Sequence, residues 1–437
     1  MRKTLALILA SLITTSYSCA GDHSQIPLAQ TRLPHRNNSC TSRVLSPQPK
    51  TTAITNVNVF DGYAFQPSQT ILIQGSHIVP FAFPFAIDSI IDGTDKYLIP
   101  GLMDSHVHPE TCEDLDALAS YGVTTAMLMA CYDQEKCGGM KDQGGLTTDL
   151  LSSGIPAISP KTAHARLASF LTSGSKELLL QTDSDIPTLV QTAFRNGADF
   201  YKIVAEENGP SVERQKEIVR EVHKLGKQTM THASHPEHYL QAIESGTDGI
   251  QHVFADNFIE ESTVEKIKEN KNMFVTPTME MYRITYSHWR LIFLLRGFSG
   301  LFESRSQYNN VQENVRRLHA AGIPLLAGTD AIGNALRTLT GASMPFGASL
   351  HCELENLVGV GMSPAEALRS ATVVPAVSHR LEDRGMVVPG MRADLVLLNG
   401  NPLVDIRNAR NIERVWIQGV EFEGVADGKR FSCQDLV

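Results

Sequence analysis

Apolar and polar positions alternate in different ways along the chain. From Gly21 to about Lys50 the apolar residues keep no period among many Pro, Ser, Asn and Gln, which predicts an extended leader over 21–50. Two-residue alternation then begins in "TAITNVNVFDG" and "TILIQGSHIVPF", broken by Asp-Gly and Gly-Ser turns, and predicts short antiparallel strands over 51–100. The same texture returns in "ADLVLLNGNPL" and "IERVWIQGVEFEG". Segments 51–100 and 381–437 are therefore expected to pair into one small β domain built from both chain ends.

Between them, 101–380 alternates short apolar runs with helical periodicity. Eight strands are predicted at 102–108, 123–130, 157–162, 200–205, 228–234, 249–254, 274–279 and 324–331. Ile218, Val222 and Leu225, and likewise Val311, Val315 and Leu318, fall at i, i+4 and i+7, a spacing that gives each intervening helix one buried stripe. Gly226, Gly246 and Gly322 are expected to stop helices, because glycine enters the left-handed conformation of a helix end without steric cost. Consecutive βα units of this kind point to the α/β class and to a (β/α)8 TIM barrel, whose reactive groups sit at the C-terminal ends of its strands.

Composition and charge narrow the picture. The 437 residues are 42% hydrophobic and 19% charged, enough apolar content for a large core and no low-complexity block. Arg2 and Lys3, the apolar stretch through Ile13 and the small residues around "SYSCAGD" read as a secretory signal over 1–20, with Cys19 as a lipidated N-terminus the competing reading. Its removal moves the formal charge from −9 to −11, which excludes nucleic acid as an expected partner, and no later apolar run is long enough for a membrane span. The expected location is secreted, extracellular or periplasmic. Six cysteines then remain, Cys40, Cys112, Cys131, Cys137, Cys352 and Cys433, and an exported chain can pair them. Cys131 and Cys137 are spaced to close a small ring after the second strand.

The chemistry lies in the polar residues that close the strands: His106 and His108 in the first, Lys202 in the fourth, His232 in the fifth, His252 in the sixth and Asp330 in the eighth. Side chains alternate along a strand, so His106 and His108 share a face, with Val107 opposite, and both imidazoles can reach one ion. "GLMDSHVH", "YKIVAE", "THASH", "IQHVFAD" and "LLAGTDA", in that order, resemble the amidohydrolase superfamily, specifically its binuclear, prolidase-like and ochratoxin-hydrolysing members. "MSPAEALRSATVVPA" and "GMVVPGMRADLVLLNGNPLVDI" look like that family's last barrel helix and returning β-sandwich, so the resemblance covers about 50 to 437.

The resemblance implies that His106, His108 and Asp330 hold one divalent ion, that His232 and His252 hold a second, and that Lys202 bridges both as its carbamate. Zinc suits such ligands best, with manganese and cobalt open. It further implies a bridging hydroxide as nucleophile and Asp330 as proton shuttle, in a metal-dependent hydrolase that cleaves an amide bond of an N-acyl amino acid or dipeptide-like small molecule. A deaminase or a cyclic amide or lactone hydrolase on the same scaffold, and a non-catalytic binding relative, are the alternatives.

The remaining candidates are weaker. His235, between the fifth strand and the helix expected to start at Pro236, and His164, after the third strand, are candidate substrate contacts. His238 is expected on a solvent-exposed helix turn. Arg283, Arg290 and Lys161 are candidates for a substrate carboxylate by position alone. "MYRITYSHWRLIFLLRGFSGLF" suits a lid, a contact between copies of the chain in a homo-oligomer, or a buried helix pair.

Overall fold

The computed structural model describes residues 50–81, 86–141, 146–171, 179–288, 290, 305–333, 341–428 and 431–436. The segments expected to be a secretory signal and a leader, Cys19, Cys40 and most of the aromatic stretch beyond 288 lie outside the described residues. In chain order the strands are β1 (Thr51–Phe60), β2 (Phe65–Gln74), β3 (His77–Val79), β4 (Ser89–Asp92), β5 (Tyr97–Pro100), β6 (Leu102–Val107), β7 (Val123–Leu128), β8 (Asp149–Ser152), β9 (Tyr201–Val204), β10 (Thr229–His232), β11 (Gly249–Gln251), β12 (Phe274–Thr276), β13 (Leu395–Leu398), β14 (Ile412–Ile417) and β15 (Val420–Glu421).

Both chain ends share one eight-stranded sheet, ordered β15-β14-β13-β5-β1-β2-β3, with β4 also paired to β1. The junction between the ends is antiparallel, Leu395 opposite Pro100 and Leu398 opposite Tyr97. The purely antiparallel expectation is corrected here. The strands form one hydrogen-bonded sheet, and it is mixed, because β4 and β5 both run parallel to β1. The sheet nevertheless surrounds a core of its own, in which Ile54, Ile73, Leu98, Leu395, Leu397 and Trp416 are buried together, while Val396 and Leu398 on the other face of β13 join the main core. Strand alternation thus lets β13 serve two cores.

In the middle region β6-β7-β8 and β9-β10-β11-β12 are parallel sheets. Single bridges connect them: Ala157 pairs with Ile203, Val275 with Leu325, and Val107 with Ala331, all parallel. The parallel pairings accordingly run around a closed circuit of eight segments. Met127, Phe200, Met230, Phe274 and Leu326, drawn from segments around that circuit, pack into one buried cluster.

The third strand lies at 149–152 and not at 157–162; β8 pairs with β7, and only Ala157 continues toward β9. Its sequence, "DLLS", is too short and too plain in period to be separated from the neighbouring turn by pattern. The eighth segment is held by bridges at Leu325 and Ala331 and is not a regular strand. Val311, Val315 and Leu318 are fully buried, as are Ile218 and Val222, but Leu225 is 44% exposed because it falls at the end of its helix. Gly226, Gly246 and Gly322 have φ of 69°, 81° and 75°, the left-handed conformation expected of helix stops.

Cys131–Cys137 and Cys352–Cys433 are disulfides, the first at the expected spacing. The opening part of the aromatic stretch forms the helix Met279–Ser287, in which Tyr282, Ile284 and Tyr286 are buried, so that part behaves as a core helix. Among the described residues no helix is long and apolar enough to cross a membrane.

Candidate active site

Apart from Lys202, the second residue of β9, the expected ligands sit at or near the ends of circuit segments. His106 closes β6 with His108 just beyond, Lys202 lies in β9, His232 ends β10, and His252 follows β11. The helix Cys112–Ser120 begins soon after His108, and its start is locked by a capping box between Thr111 and Asp114. Asp330 reaches the same place through backbone bonds: the N–H groups of Thr329 and Asp330 donate to the His106 carbonyl at 3.0 and 2.7 Å, and His108 N–H donates to Ala331 O at 3.0 Å.

These elements gather the side chains. Asp330 Oδ1 lies 3.3 Å from His106 Nε2 and 3.0 Å from His108 Nε2. One ligand atom from each of the three falls within 4.8 Å of the others. The His106 ring is 4.7 Å from that of His252, which is 4.6 Å from that of His232. Lys202 is buried among them, close enough that its charge bears on all three of those rings and on Asp330.

Burial and crowding set the charge states. Burial, then the proximity of Lys202, brings the His106 imidazole down to about 4. Burial foremost, with neighbouring cationic groups, holds His232 and His252 well below the ordinary imidazole range. Burial pushes the Lys202 amine down to about 7. Burial opposes the Asp330 charge as well, but His106, His108 and His252 outweigh it and hold the carboxyl well below the usual carboxylate range. Neutral buried imidazoles beside an ionised carboxylate are the donor set that a divalent cation needs.

Outer partners orient the rings. His106 Nδ1 lies 2.8 Å from Gln251 Oε1, and His252 Nδ1 lies 2.8 Å from Thr278 Oγ1, which leaves Nε2 of each for the centre. Asp104 is fully buried and accepts from His106 N–H at 3.2 Å, Thr329 N–H at 3.1 Å and Thr329 Oγ1 at 2.7 Å, tying β6 to the segment that carries Asp330. Sequence reasoning missed these three. For Asp104 a signal existed, since positions 104, 106 and 108 share a strand face. For Gln251 and Thr278 nothing local marks them.

His164 joins the cluster: its ring is 4.5 Å from that of His232, and Nδ1 is 3.1 Å from Glu206 Oε1. His235 is placed apart. It precedes the helix that starts at Pro236, as expected, and its Nδ1 lies 2.5 Å from Asp256 Oδ2, with His238 its ring neighbour. His238 is buried, contrary to the solvent-exposed turn expected, because it faces inward from the first turn of that helix. Of the carboxylate candidates, Arg283 is committed to Glu280 by two hydrogen bonds of 2.7 Å, while Arg290 and Lys161 are exposed.

Residues 191–422 match the family described as the amidohydrolase family. Among solved structures, a candidate prolidase from Bifidobacterium longum superposes with a TM-score of 0.73 at 24% identity, over 89% of this chain and 98% of that one. The ochratoxinase of A. niger gives 0.70 at 20% identity, over 86% and 96%. At such identities the likeness is one of fold. An imidazolonepropionase from Cutibacterium acnes is 24% identical over 364 residues, 75% of this chain and 83% of that protein. The adenine deaminase 2 of Desulfotalea psychrophila is 40% identical over 60 residues, but the match spans 9% of its length.

Proposed function

The chain belongs to the amidohydrolase family, and from that membership we propose a metal-dependent hydrolase that cleaves the carbon–nitrogen amide bond of an N-acyl amino acid or dipeptide-like substrate. One observation carries the reading: His106, His108 and Asp330 offer ligand atoms within 4.8 Å of one another at the strand ends. We read the circuit over 101–380 as a (β/α)8 barrel and the sheet from 51–100 and 381–437 as its appended β domain.

In this reading His106, His108 and Asp330 would hold one divalent ion, and His232 and His252 would hold a second. Lys202, as its carbamate, would help hold the ions, because burial keeps a neutral fraction of the amine near pH 7 and only the neutral amine takes up carbon dioxide. Zinc is the ion that imidazole and carboxylate ligands suit best. When bound, the ions supply a water ionised near neutral pH and a Lewis acid for the substrate carbonyl. Asp330 accepts the proton of the attacking water on its carboxylate and returns it to the departing amine, so one group acts first as base and then as acid. Gln251 and Thr278 keep the His106 and His252 rings from rotating, and His164 meets the substrate at the mouth. The N-terminal apolar segment behind Arg2 and Lys3, together with the disulfides, supports a secreted enzyme.

A second reading, cyclic-amide hydrolysis or deamination, is favoured by the names of the sequence relatives. Metal analysis combined with a panel of N-acyl amino acids, dipeptides, cyclic amides and aminopurines separates the two. The proposal expects two ions per chain and release of a free amino acid. Two ions per chain with no hydrolysis of any linear amide, or with ammonia as the product, would reject it.

A further inference from the structure

The helix Met279–Ser287 starts in an unusual way. Thr278 occupies its N-cap position, yet the Thr278 side chain makes no capping bond, since its hydroxyl is spent on His252 Nδ1 at 2.8 Å. A helix start leaves backbone N–H groups without partners. Here two of them are taken by the carboxyl group of a residue far along the chain, which burial pushes up to about 8: Glu353 Oε1 accepts from Met279 N–H at 3.0 Å, and Oε2 accepts from Glu280 N–H at 2.6 Å.

Glu353 is fully buried on the helix Ala348–Gly359, which is itself well anchored. On that helix Asn356 donates to Glu280 Oε2 at 2.9 Å, His351 Nε2 lies 2.9 Å from Tyr121 O, and Cys352 is bonded to Cys433. Thr278 has φ 50° and His252 has φ 73°, left-handed values that persist in such residues only where surroundings impose them.

We propose that Glu353 is a positioning residue for His252. By capping the helix in place of Thr278, it frees the Thr278 hydroxyl to fix the His252 ring, and it thereby sets the affinity of the ion site formed by His232 and His252. The inference rests on the two-ion reading of the site. In Glu353→Gln one acceptor becomes an amide donor facing an N–H group. The Thr278 hydroxyl is then drawn back to the helix start, and the His252 ring is released.

The test uses the full chain as wild type, E353Q, E353D and T278V. Zinc affinities are measured by chelator competition, absorption spectra on the cobalt-substituted proteins, and folding by circular dichroism. E353Q and T278V should each weaken one ion by about 10–100-fold and alter the cobalt spectrum, while the other ion stays within about twofold, as for partners that orient a ligand. E353D, which keeps a carboxyl group, should recover part of the loss. A folded E353Q with wild-type affinities and spectrum overturns the proposal. Should E353Q not fold, T278V decides, and wild-type zinc binding in T278V overturns it equally. A wild-type chain that binds fewer than two ions would overturn the two-ion reading and this inference with it, an outcome visible before any variant is compared.

Discussion

Gly328 offers a sharp test of how tightly the site is assembled. It stands two residues before Asp330, where the eighth segment passes β6. A Cβ added there would lie 2.4 Å from Thr276 Cγ2, 2.9 Å from His106 N and 3.0 Å from His106 Cβ. Ordinary contact begins near 3.4 Å, so Gly328→Ala lacks about 1 Å against Thr276 and about half that against the His106 backbone. Thr276 is a β-branched side chain buried between strands, and the His106 amide belongs to the strand itself, so neither yields without moving backbone. Overpacking of this kind costs about 1–3 kcal/mol. The displacement falls between His106 and Asp330, and a shift of about 1 Å in reacting geometry lowers turnover on the order of 10²-fold. Urea denaturation should give a stability loss within that range, and steady-state hydrolysis should give a larger proportional loss in kcat than the loss of folded protein explains. A variant that matches the wild type in both would show that strand β6 and the eighth segment have room between them, and the reasoning would fail.

Other substitutions examine other links. Lys202→Ala should lose activity that acetate or propionate partly restores, by supplying a carboxylate where the carbamate would lie; no rescue at any concentration would count against a bridging role. Because burial holds the Lys202 amine at about 7, its neutral form grows as pH rises through that value. Reconstitution of metal-free protein with zinc and bicarbonate should then be faster at about pH 8 than at about pH 6, and the opposite order would refute the assignment. Asp330→Asn should lower kcat by about 10²–10⁴-fold in a folded protein, as loss of a general base does, and retained full activity would contradict its proton-transfer role. Asp149 joins β8 to the C-terminal segment through Arg384 and Arg392, each 2.7 Å from Oδ2. Burial works to raise the Asp149 carboxyl, but the two arginines outweigh it and hold it below its usual range. A depressed carboxylate adds stability above its unfolded pKa and loses that contribution as pH falls through its folded value. Asp149→Asn should accordingly destabilise by about 3 kcal/mol near neutrality, at the low end for a broken buried pair because Asp383 and Asp394 remain, with the gap closing in acid. Equal unfolding midpoints at pH 7 would sink this.

Much of the site was legible because its chemistry is placed by local periodicity. Alternation along β6 alone puts His106 and His108 on one face, and the rule that barrel strands end at the reactive rim singled out Lys202, His232, His252 and Asp330 from their positions in apolar runs. Helix ends were legible for the same reason, glycine being the residue that turns the chain at 226, 246 and 322 at no steric cost. Local pattern failed where no period exists to read: "DLLS" becomes a strand only by pairing with β7, and His238 is buried only because of what its helix packs against.

What the order of residues determined by itself, then, is the set of candidate ligands and the strand ends that carry them, since a repeat of two or of 3.6 residues is a property of neighbouring positions. Tertiary structure alone decided which rings meet, that His164 stands against His232 while His235 turns to Asp256, and that Glu353 caps a helix 74 residues earlier in the chain. Those contacts depend on closure of the strand circuit and on the burial it enforces, and no short window of sequence contains both partners.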